Sequence, residues 1–256
     1  MRIGILGVLL TACTITPPEY RQGFSFWDFV GTTPASKPHW KAAVRQPERH
    51  ATAGVLMATA GLLQINNIDR EWQRHIAEQQ ALPGSEEAKM SDIGFFALVG
   101  SSLIAPVLFE PHPERGIWKW RYVATNTYAL LLNAGVNGIV RHSNIRRRPS
   151  NNRGSFYSGH TAGSFAAATL LNREYGPRVG VPAYAVATLV GGYRIEGDYH
   201  WPGDVFFGAG AGIFFANLIY EKNHGDDGLH ATWGKSATLL PLIEPDRLGL
   251  SFSYTW

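Results

Sequence analysis

Three arginines in two short blocks of the sequence have a spacing that suits the binding of a phosphate group. The block RHSNIRRRP, residues 141 to 149, contains Arg141 and Arg148 with six residues between them, and Pro149 follows. Arg194 opens the block RIEGDYHWPGD, residues 194 to 204. Planar guanidinium groups bind tetrahedral oxyanions through paired hydrogen bonds. We therefore predict that Arg141, Arg148 and Arg194 hold a phosphate.

A predicted helix N-terminus lies between these two blocks. Ser158, Gly159 and His160 precede the small-residue run TAGSFAAATLL, which indicates a helix. Ser158 is a typical N-cap residue, and the backbone N–H groups that follow it would point at an anion. Together with the histidines His160 and His200, these groups supply what phosphoryl transfer without a metal requires.

The order and spacing of these blocks resemble those of the phosphatidic acid phosphatase type 2 superfamily, which includes acid phosphatases, lipid phosphate phosphatases and vanadium haloperoxidases. The motif of that family has three blocks. The first is Lys, six residues and then Arg-Pro, and the second is Pro-Ser-Gly-His. The third is Ser-Arg, five residues, His, three residues and then Asp. In this sequence Arg141 replaces the Lys, Tyr157 the Pro and Tyr193 the Ser. The resemblance spans about residues 50 to 221. It implies a mainly α fold, a single helical bundle.

The resemblance and the residue types together imply a mechanism. Neutral His200 would attack phosphorus, and Asp204 would accept a hydrogen bond from its second ring nitrogen. His160 would protonate the leaving alkoxide and later deprotonate the water that releases phosphate. The phosphate-binding groups would be Arg141, Arg148, Ser158, Gly159 and Arg194. No cluster of acidic residues and histidines has metal-ligand spacing, so we expect neither a metal nor another cofactor.

These expectations describe a metal-independent phosphatase that acts on phosphomonoesters or lipid phosphates through a phosphohistidine. Two alternatives stay open: a vanadium-dependent haloperoxidase-like enzyme and a non-catalytic envelope lipoprotein. His160, His200 and Asp204 argue against the second, because a binding protein would need only the cations. The substrate also stays open among lipid phosphates, isoprenyl diphosphates, lipid A phosphates and soluble monoesters.

Other polar residues near the blocks have simpler interpretations. The side chains of Arg146, Arg147 and Arg153 are expected to be solvated or to attract anionic substrates. His142 is expected to be structural, and Asp198, directly after Gly197, to be a turn residue. The net charge of +3 is modest and concentrates in the arginine loop, so we expect no nucleic-acid partner.

The N-terminus predicts export and a lipid anchor. Met1 and Arg2 precede the apolar run IGILGVLL, and LTAC, ending at Cys13, resembles the cleavage box of bacterial lipoproteins. Cys13 is the only cysteine, which excludes a disulfide framework and a cysteine metal cage. We expect a lipidated, periplasm-facing protein of the bacterial envelope, on the outer membrane in preference to an integral inner-membrane protein.

Composition divides the chain into four segments. We predict a lipoprotein-type signal peptide at 1–12, an N-terminal linker at 13–47, a phosphatase helical domain at 48–222 and a C-terminal β-hairpin extension at 223–256. The helical domain contains six uncharged stretches, most of them shorter than the roughly 20 residues of a membrane span, which favours a water-soluble bundle held by a lipid. Apolar residues alternate from Leu248 to Trp256, which indicates a strand.

Overall fold

The computed structural model describes residues 47–65, 68–78, 84–111, 119–224, 237–244 and 247–254. In these ranges the chain forms seven helices: α1 Pro47–Ile65, α2 Ile68–Glu78, α3 Gly84–Leu108, α4 Lys119–His142, α5 Gly159–Tyr175, α6 Pro177–Glu196 and α7 Pro202–His224. The expected mainly α fold is confirmed. The predicted signal peptide and Cys13 lie outside the described residues.

Helices α5 and α7 form the centre of the bundle. α5 packs against α3, α4, α6 and α7, and α7 also packs against α1 and α4. α5 begins after the N-cap Ser158 and ends at Gly176, whose φ of 77° takes the chain out of the helix before Pro177 starts α6. Because α5 is buried on nearly every side, its small residues allow several helices to approach it.

The closest approach in this centre is between α5 and α7. A Cβ atom at Gly212 would lie 2.2 Å from the carbonyl oxygen of Ala162, so only glycine fits there at this spacing. Farther along the same two helices, Leu170 and Ile219 are fully buried in an apolar cluster that also includes residues of α4. This packing fixes the N-termini of α5 and α7 side by side.

Two later segments pair as antiparallel strands, β1 Ala237–Glu244 and β2 Arg247–Tyr254. The register runs from Ala237 opposite Tyr254 to Glu244 opposite Arg247. The assignment of this pair as an extension of the helical domain stays a prediction, as do the other segment boundaries.

Several helices are longer than the uncharged stretches of the sequence suggested. α3 has 25 residues, α4 has 24 and α7 has 23, because polar and charged residues extend their ends. The length argument for a water-soluble bundle is therefore wrong for α3 and α7, whereas α4 is not among the described helices that are apolar enough to cross a membrane. By length and composition, two described helices could cross a membrane: α3 over Glu86–Leu108 and α7.

These two helices differ in burial. The most apolar window of α7 is 78% buried, which the core of a soluble protein would also explain, whereas that of α3 is only 22% buried. The large exposed side chains of α3 are Met90, Ile93, Phe96, Ile104 and Leu108. Thus α3 exposes large apolar side chains from Met90 to its C-terminal end at Leu108.

Candidate active site

One end of the helical bundle gathers the residues that the sequence analysis selected. Arg141 is in the last turn of α4, Arg148 lies in the following loop, and His160 is in the first turn of α5. Arg194 is in the last turn of α6, and His200 follows it in the turn that leads to α7. The three arginines act electrostatically on one another and on one or both histidines, so the structure brings them into one site.

His200 is held in a defined tautomer. Its side chain is 3% exposed, and Nδ1 lies 2.7 Å from the carbonyl oxygen of Ser155. A carbonyl oxygen can only accept a hydrogen bond, so Nδ1 carries the proton and Nε2 keeps its lone pair. Burial, followed by the charges of Arg194 and Arg148, lowers the pKa of His200 well below 6.5. His200 is therefore neutral at pH 7, as a nucleophile must be.

The partner of His200 is not the one the sequence predicted. Asp204 was expected to accept the Nδ1 hydrogen bond, but the carbonyl of Ser155 does so. The fully buried carboxylate of Asp204 accepts instead from the Ser155 hydroxyl and from the Trp201 backbone N–H at 3.3 Å. Because Ser155 contacts both side chains, Asp204 orients His200 through Ser155.

Arg146 connects this group to α2. Its Nη1 atom lies 2.7 Å from Oδ2 of Asp69 and 3.2 Å from Oδ1 of Asp204. Asp69 in turn accepts a 2.8 Å hydrogen bond from the backbone N–H of Gly203. The guanidinium also lies over the ring of Trp201, 4.9 Å from its centroid. The interpretation of Arg146 as a merely solvated or substrate-attracting cation is therefore wrong.

Arg194 is a buried cation with one unused hydrogen-bond donor in the described part of the chain. Its side chain is 6% exposed, and Nε has no hydrogen-bond partner among the described residues. Burial, followed by the charge of Arg148, lowers the pKa of Arg194 to about 10. The pKa of Arg148 is likewise lowered, first by burial and then by Arg141. Cations that repel one another in this way would be stabilised by a bound anion.

The N-terminus of α5 supplies further donors. Ser158 is the N-cap, as predicted, and its hydroxyl oxygen accepts from the backbone N–H of Thr161 at 3.4 Å. The first α-helical hydrogen bond runs from Ala162 N to Ser158 O at 3.0 Å. The N–H groups of Gly159 and His160 precede it and have no acceptor within the helix. Ser158 thus caps the turn in which the N–H groups of Gly159 and His160 have no helical acceptor.

His160 pairs with a residue that the sequence analysis did not select. Its Nε2 atom lies 3.0 Å from Oδ1 of Asp92 on α3. The centroid of its ring lies 4.8 Å from that of the Phe95 ring. Burial and then the charge of Arg194 lower the pKa of His160, whereas Asp92 opposes this shift. Ser155, Asp69 and Asp92 all lie outside the spaced blocks, so no local pattern marks them.

The two tyrosines that depart from the family pattern differ in position. Tyr157 is 2% exposed and packs with Ala162 and Phe207, and burial raises its pKa to about 12. It therefore belongs to the core. Tyr193 is half-buried on α6.

Two polar residues near the site have the structural roles expected of them. His142 lies 2.7 Å through Nδ1 from the carbonyl of Gly138, one turn back in α4. Asp198 has a φ of 57° in the turn after α6, and its carboxylate accepts a 2.6 Å hydrogen bond from Gln73. The first interaction is local to α4, whereas the second joins the turn after α6 to α2, which carries Gln73.

The chain resembles several known proteins. The model of the PAP2 superfamily matches residues 24–225. The chain is 36% identical to a lipid A 1-phosphatase of Porphyromonas gingivalis over 104 residues, and this match covers 39% of the chain. That match covers 23% of the relative, so this chain corresponds to less than a quarter of its length.

Two solved structures are similar to parts of this chain. LpxE of Aquifex aeolicus is 23% identical with a TM-score of 0.49, over 59% of this chain and 93% of that chain. A transmembrane PAP2-type phosphatidylglycerolphosphate phosphatase of Bacillus subtilis is 15% identical with a TM-score of 0.50, over 71% and 97% of the two chains. At such identity the second likeness is one of fold.

Proposed function

The chain belongs to the PAP2 superfamily, the phosphatidic acid phosphatase type 2 group, and from this premise we propose that it is a metal-independent phosphoric monoester hydrolase acting through a phosphohistidine. One observation carries the proposal. Buried, neutral His200 keeps the lone pair of Nε2 free while its Nδ1 is bound to a backbone carbonyl. A nucleophile in this state beside several cations suits attack on a phosphate ester.

In the first step Nε2 of His200 attacks phosphorus, and the bond from phosphorus to the leaving oxygen breaks. Arg141, Arg148, Arg194 and the N–H groups at the start of α5 hold the equatorial oxygens of the transition state. His160 gives its proton to the leaving oxygen, so an alcohol departs rather than an alkoxide.

In the second step water releases the phosphate. His160, now neutral, takes a proton from the water as its oxygen attacks phosphorus, and the bond from phosphorus to Nε2 of His200 breaks. Asp204 and Ser155 keep the imidazole of His200 in the tautomer in which it began. Inorganic phosphate leaves, and both histidines return to their starting states.

We propose a lipid phosphate as the substrate. The relative with 36% identity carries the description lipid A 1-phosphatase, which supports an amphiphilic phosphate ester. The exposed apolar face of α3 supports the same conclusion, because this helix also carries Asp92, which contacts the site. A lipid headgroup could then reach the arginines from a membrane against which α3 lies.

We also propose a location in the bacterial envelope, with contact to the membrane through α3 and a lipid on Cys13. An acylated Cys13 would add to the contact made by α3, since one acyl chain alone anchors weakly. Cys13→Ser should then reduce the membrane-bound fraction of the protein. Variant protein that stays bound after carbonate extraction would show that the helices hold it without the lipid.

The test of the phosphohistidine uses the full chain and a radiolabelled aryl phosphate. Rapid quenching into alkali should leave label on His200, and His200→Ala should lose both the label and turnover. His142→Ala is the matched control, because this nearby histidine bonds only a local carbonyl, and it should keep both. Turnover in His200→Ala at the wild-type rate would refute the mechanism.

A panel of lipid and soluble phosphate esters then tests the substrate class. We expect higher kcat/KM for esters presented in mixed micelles than for soluble monoesters. The reverse order would contradict the lipid proposal while leaving the chemistry intact. Peroxide-dependent halide oxidation after loading with vanadate would favour the haloperoxidase alternative. Folded protein that releases no phosphate from any ester would favour the non-catalytic one.

A further inference from the structure

His160 is held by a carboxylate from a different helix. Nε2 of His160, at the start of α5, lies 3.0 Å from Oδ1 of Asp92 on α3. The side chains are 33% and 49% exposed, so the pair lies at the edge of the site rather than in the core. Because a carboxylate only accepts hydrogen bonds, Nε2 carries a proton toward Asp92.

The surrounding charges work against a protonated His160. Burial lowers the pKa of His160 first, followed by the charges of Arg194 on α6 and Arg141 on α4, and neighbouring His200 interacts with it as well. Asp92 on α3 acts in the opposite direction, through its charge and its hydrogen bond. The surrounding guanidinium groups disfavour the protonated form of His160, so a nearby anion such as Asp92 is needed to stabilise it. The need is greatest in the transition state, where the negative charge of the substrate is spread over more atoms.

We propose that Asp92 is a positioning residue for proton transfer by His160: it binds Nε2–H, so that Nδ1 faces the reacting oxygens and the imidazolium is stabilised. This inference rests on the proposed phosphatase function and extends it to a residue outside the three spaced blocks. In Ser-His-Asp triads a carboxylate orients the catalytic histidine in the same way.

The proton inventory balances through Nδ1. In the first step the P–O bond of the ester breaks as the bond from phosphorus to Nε2 of His200 forms, and the proton on Nδ1 of His160 passes to the leaving oxygen. In the second step water attacks phosphorus, its proton passes to Nδ1, and the P–N bond breaks. Nε2–H of His160 stays with Asp92 throughout.

The ion pair contributes little to folding, because both partners are partly exposed. An Asp92→Asn variant should therefore fold, and its amide oxygen can still accept from Nε2–H. The substitution removes the charge but keeps the shape. Any large fall in the catalytic rate would then be due to the loss of the negative charge of Asp92.

The experiment compares Asp92→Asn with wild type on two soluble substrates, phenyl phosphate and p-nitrophenyl phosphate. A positioned general acid contributes about 10² to 10⁴ in rate, so we expect kcat/KM for phenyl phosphate, which reports the transfer to His200, to fall by about 10- to 100-fold. Nitrophenolate is the better leaving group and needs less protonation, so kcat/KM for p-nitrophenyl phosphate should fall by less than about 3-fold. The alkaline limb of the phenyl phosphate profile should move to lower pH.

Two variants serve as controls. Glu86→Gln removes a carboxylate of the same helix that pairs with Lys89 at 2.7 Å, and it should leave both rates unchanged. Combining Asp92→Asn with His160→Ala should add nothing to the loss in His160→Ala alone, because Asp92 acts through His160.

The outcomes separate this inference from the function on which it rests. Equal losses for the two esters, an unmoved alkaline limb, or additive losses in the double variant would each overturn the role of Asp92. Label on His200 in Asp92→Asn would show that the phosphohistidine mechanism survives that result. Failure to label His200 in the wild type would instead refute the proposed function itself.

Discussion

Neutralising Arg146 should destabilise the protein far more than neutralising its neighbour Arg147. In Arg146→Gln, the carboxylates of Asp69 and Asp204 lose the cation that lies 2.7 and 3.2 Å from them. Both carboxylates are almost completely buried, at 1% and 0% exposure. Water cannot replace the lost partner without local opening.

The expected magnitude follows from this burial. Removing one partner of a buried ion pair costs about 3 to 5 kcal/mol, because an uncompensated charge stays behind. The side chain of Arg146 is itself 22% exposed, which reduces the loss, so we expect about 3 kcal/mol. For a chain of this size that corresponds to a fall of about 6 to 12 °C in Tm.

Arg147→Gln is the matched control. The side chain of Arg147 is exposed and donates one hydrogen bond, at 3.3 Å to Asn151, so its loss should change stability by less than about 0.5 kcal/mol. Thermal unfolding followed by circular dichroism, with all variants in the same buffer, measures both. Equal losses in the two single variants would refute the reasoning.

A double variant tests the cause. Asp69→Asn combined with Arg146→Gln removes one of the stranded charges and should recover about 1 kcal/mol or more relative to Arg146→Gln alone. Activity should fall as well in Arg146→Gln, because Asp204 orients His200 through Ser155. No recovery in the double variant would mean that packing on Trp201, rather than charge, explains the loss.

The other predictions concern pH, packing and inhibition. Burial lowers the pKa of His160 and, more strongly, that of His200, so the active state, with His160 protonated and His200 neutral, is populated at acidic pH. We therefore expect kcat/KM to fall between about pH 6 and about pH 8 as His160 loses its proton. A rise over this range would contradict the assignment. Gly212→Ala should cost about 1 to 3 kcal/mol in urea unfolding, because its Cβ would meet the carbonyl of Ala162 at 2.2 Å. Gly135→Ala, whose Cβ would meet no described atom within 4 Å, should instead stabilise by up to about 1 kcal/mol; equal effects would rule out the close-packing argument. Vanadate should inhibit at concentrations well below KM because it mimics the transition state, and an enzyme indifferent to vanadate would count against in-line transfer to histidine.

The sequence predicted the parts of the site that are local along the chain. Arg194 and His200 are joined by one helix end and one turn, so their spacing alone brings them together. Ser158 caps α5 through a hydrogen bond to Thr161, three residues on, which is again a local interaction. The small-residue run after Ser158 indicated a helix for the same reason, whereas the mainly α class was what the family resemblance implied. Helix formation depends on near neighbours.

The tertiary structure alone decided which partners the site residues have. Arg146 and Arg147 are neighbours of the same type, yet only Arg146 meets two buried carboxylates, because the loop turns one side chain inward. Asp69 and Asp92 come from helices far away in sequence, and a hydrogen bond acts only over about 3 Å. The local sequence around a residue therefore cannot identify the contact. Helix packing creates these partners, and with them the tautomer of His200 and the position of His160.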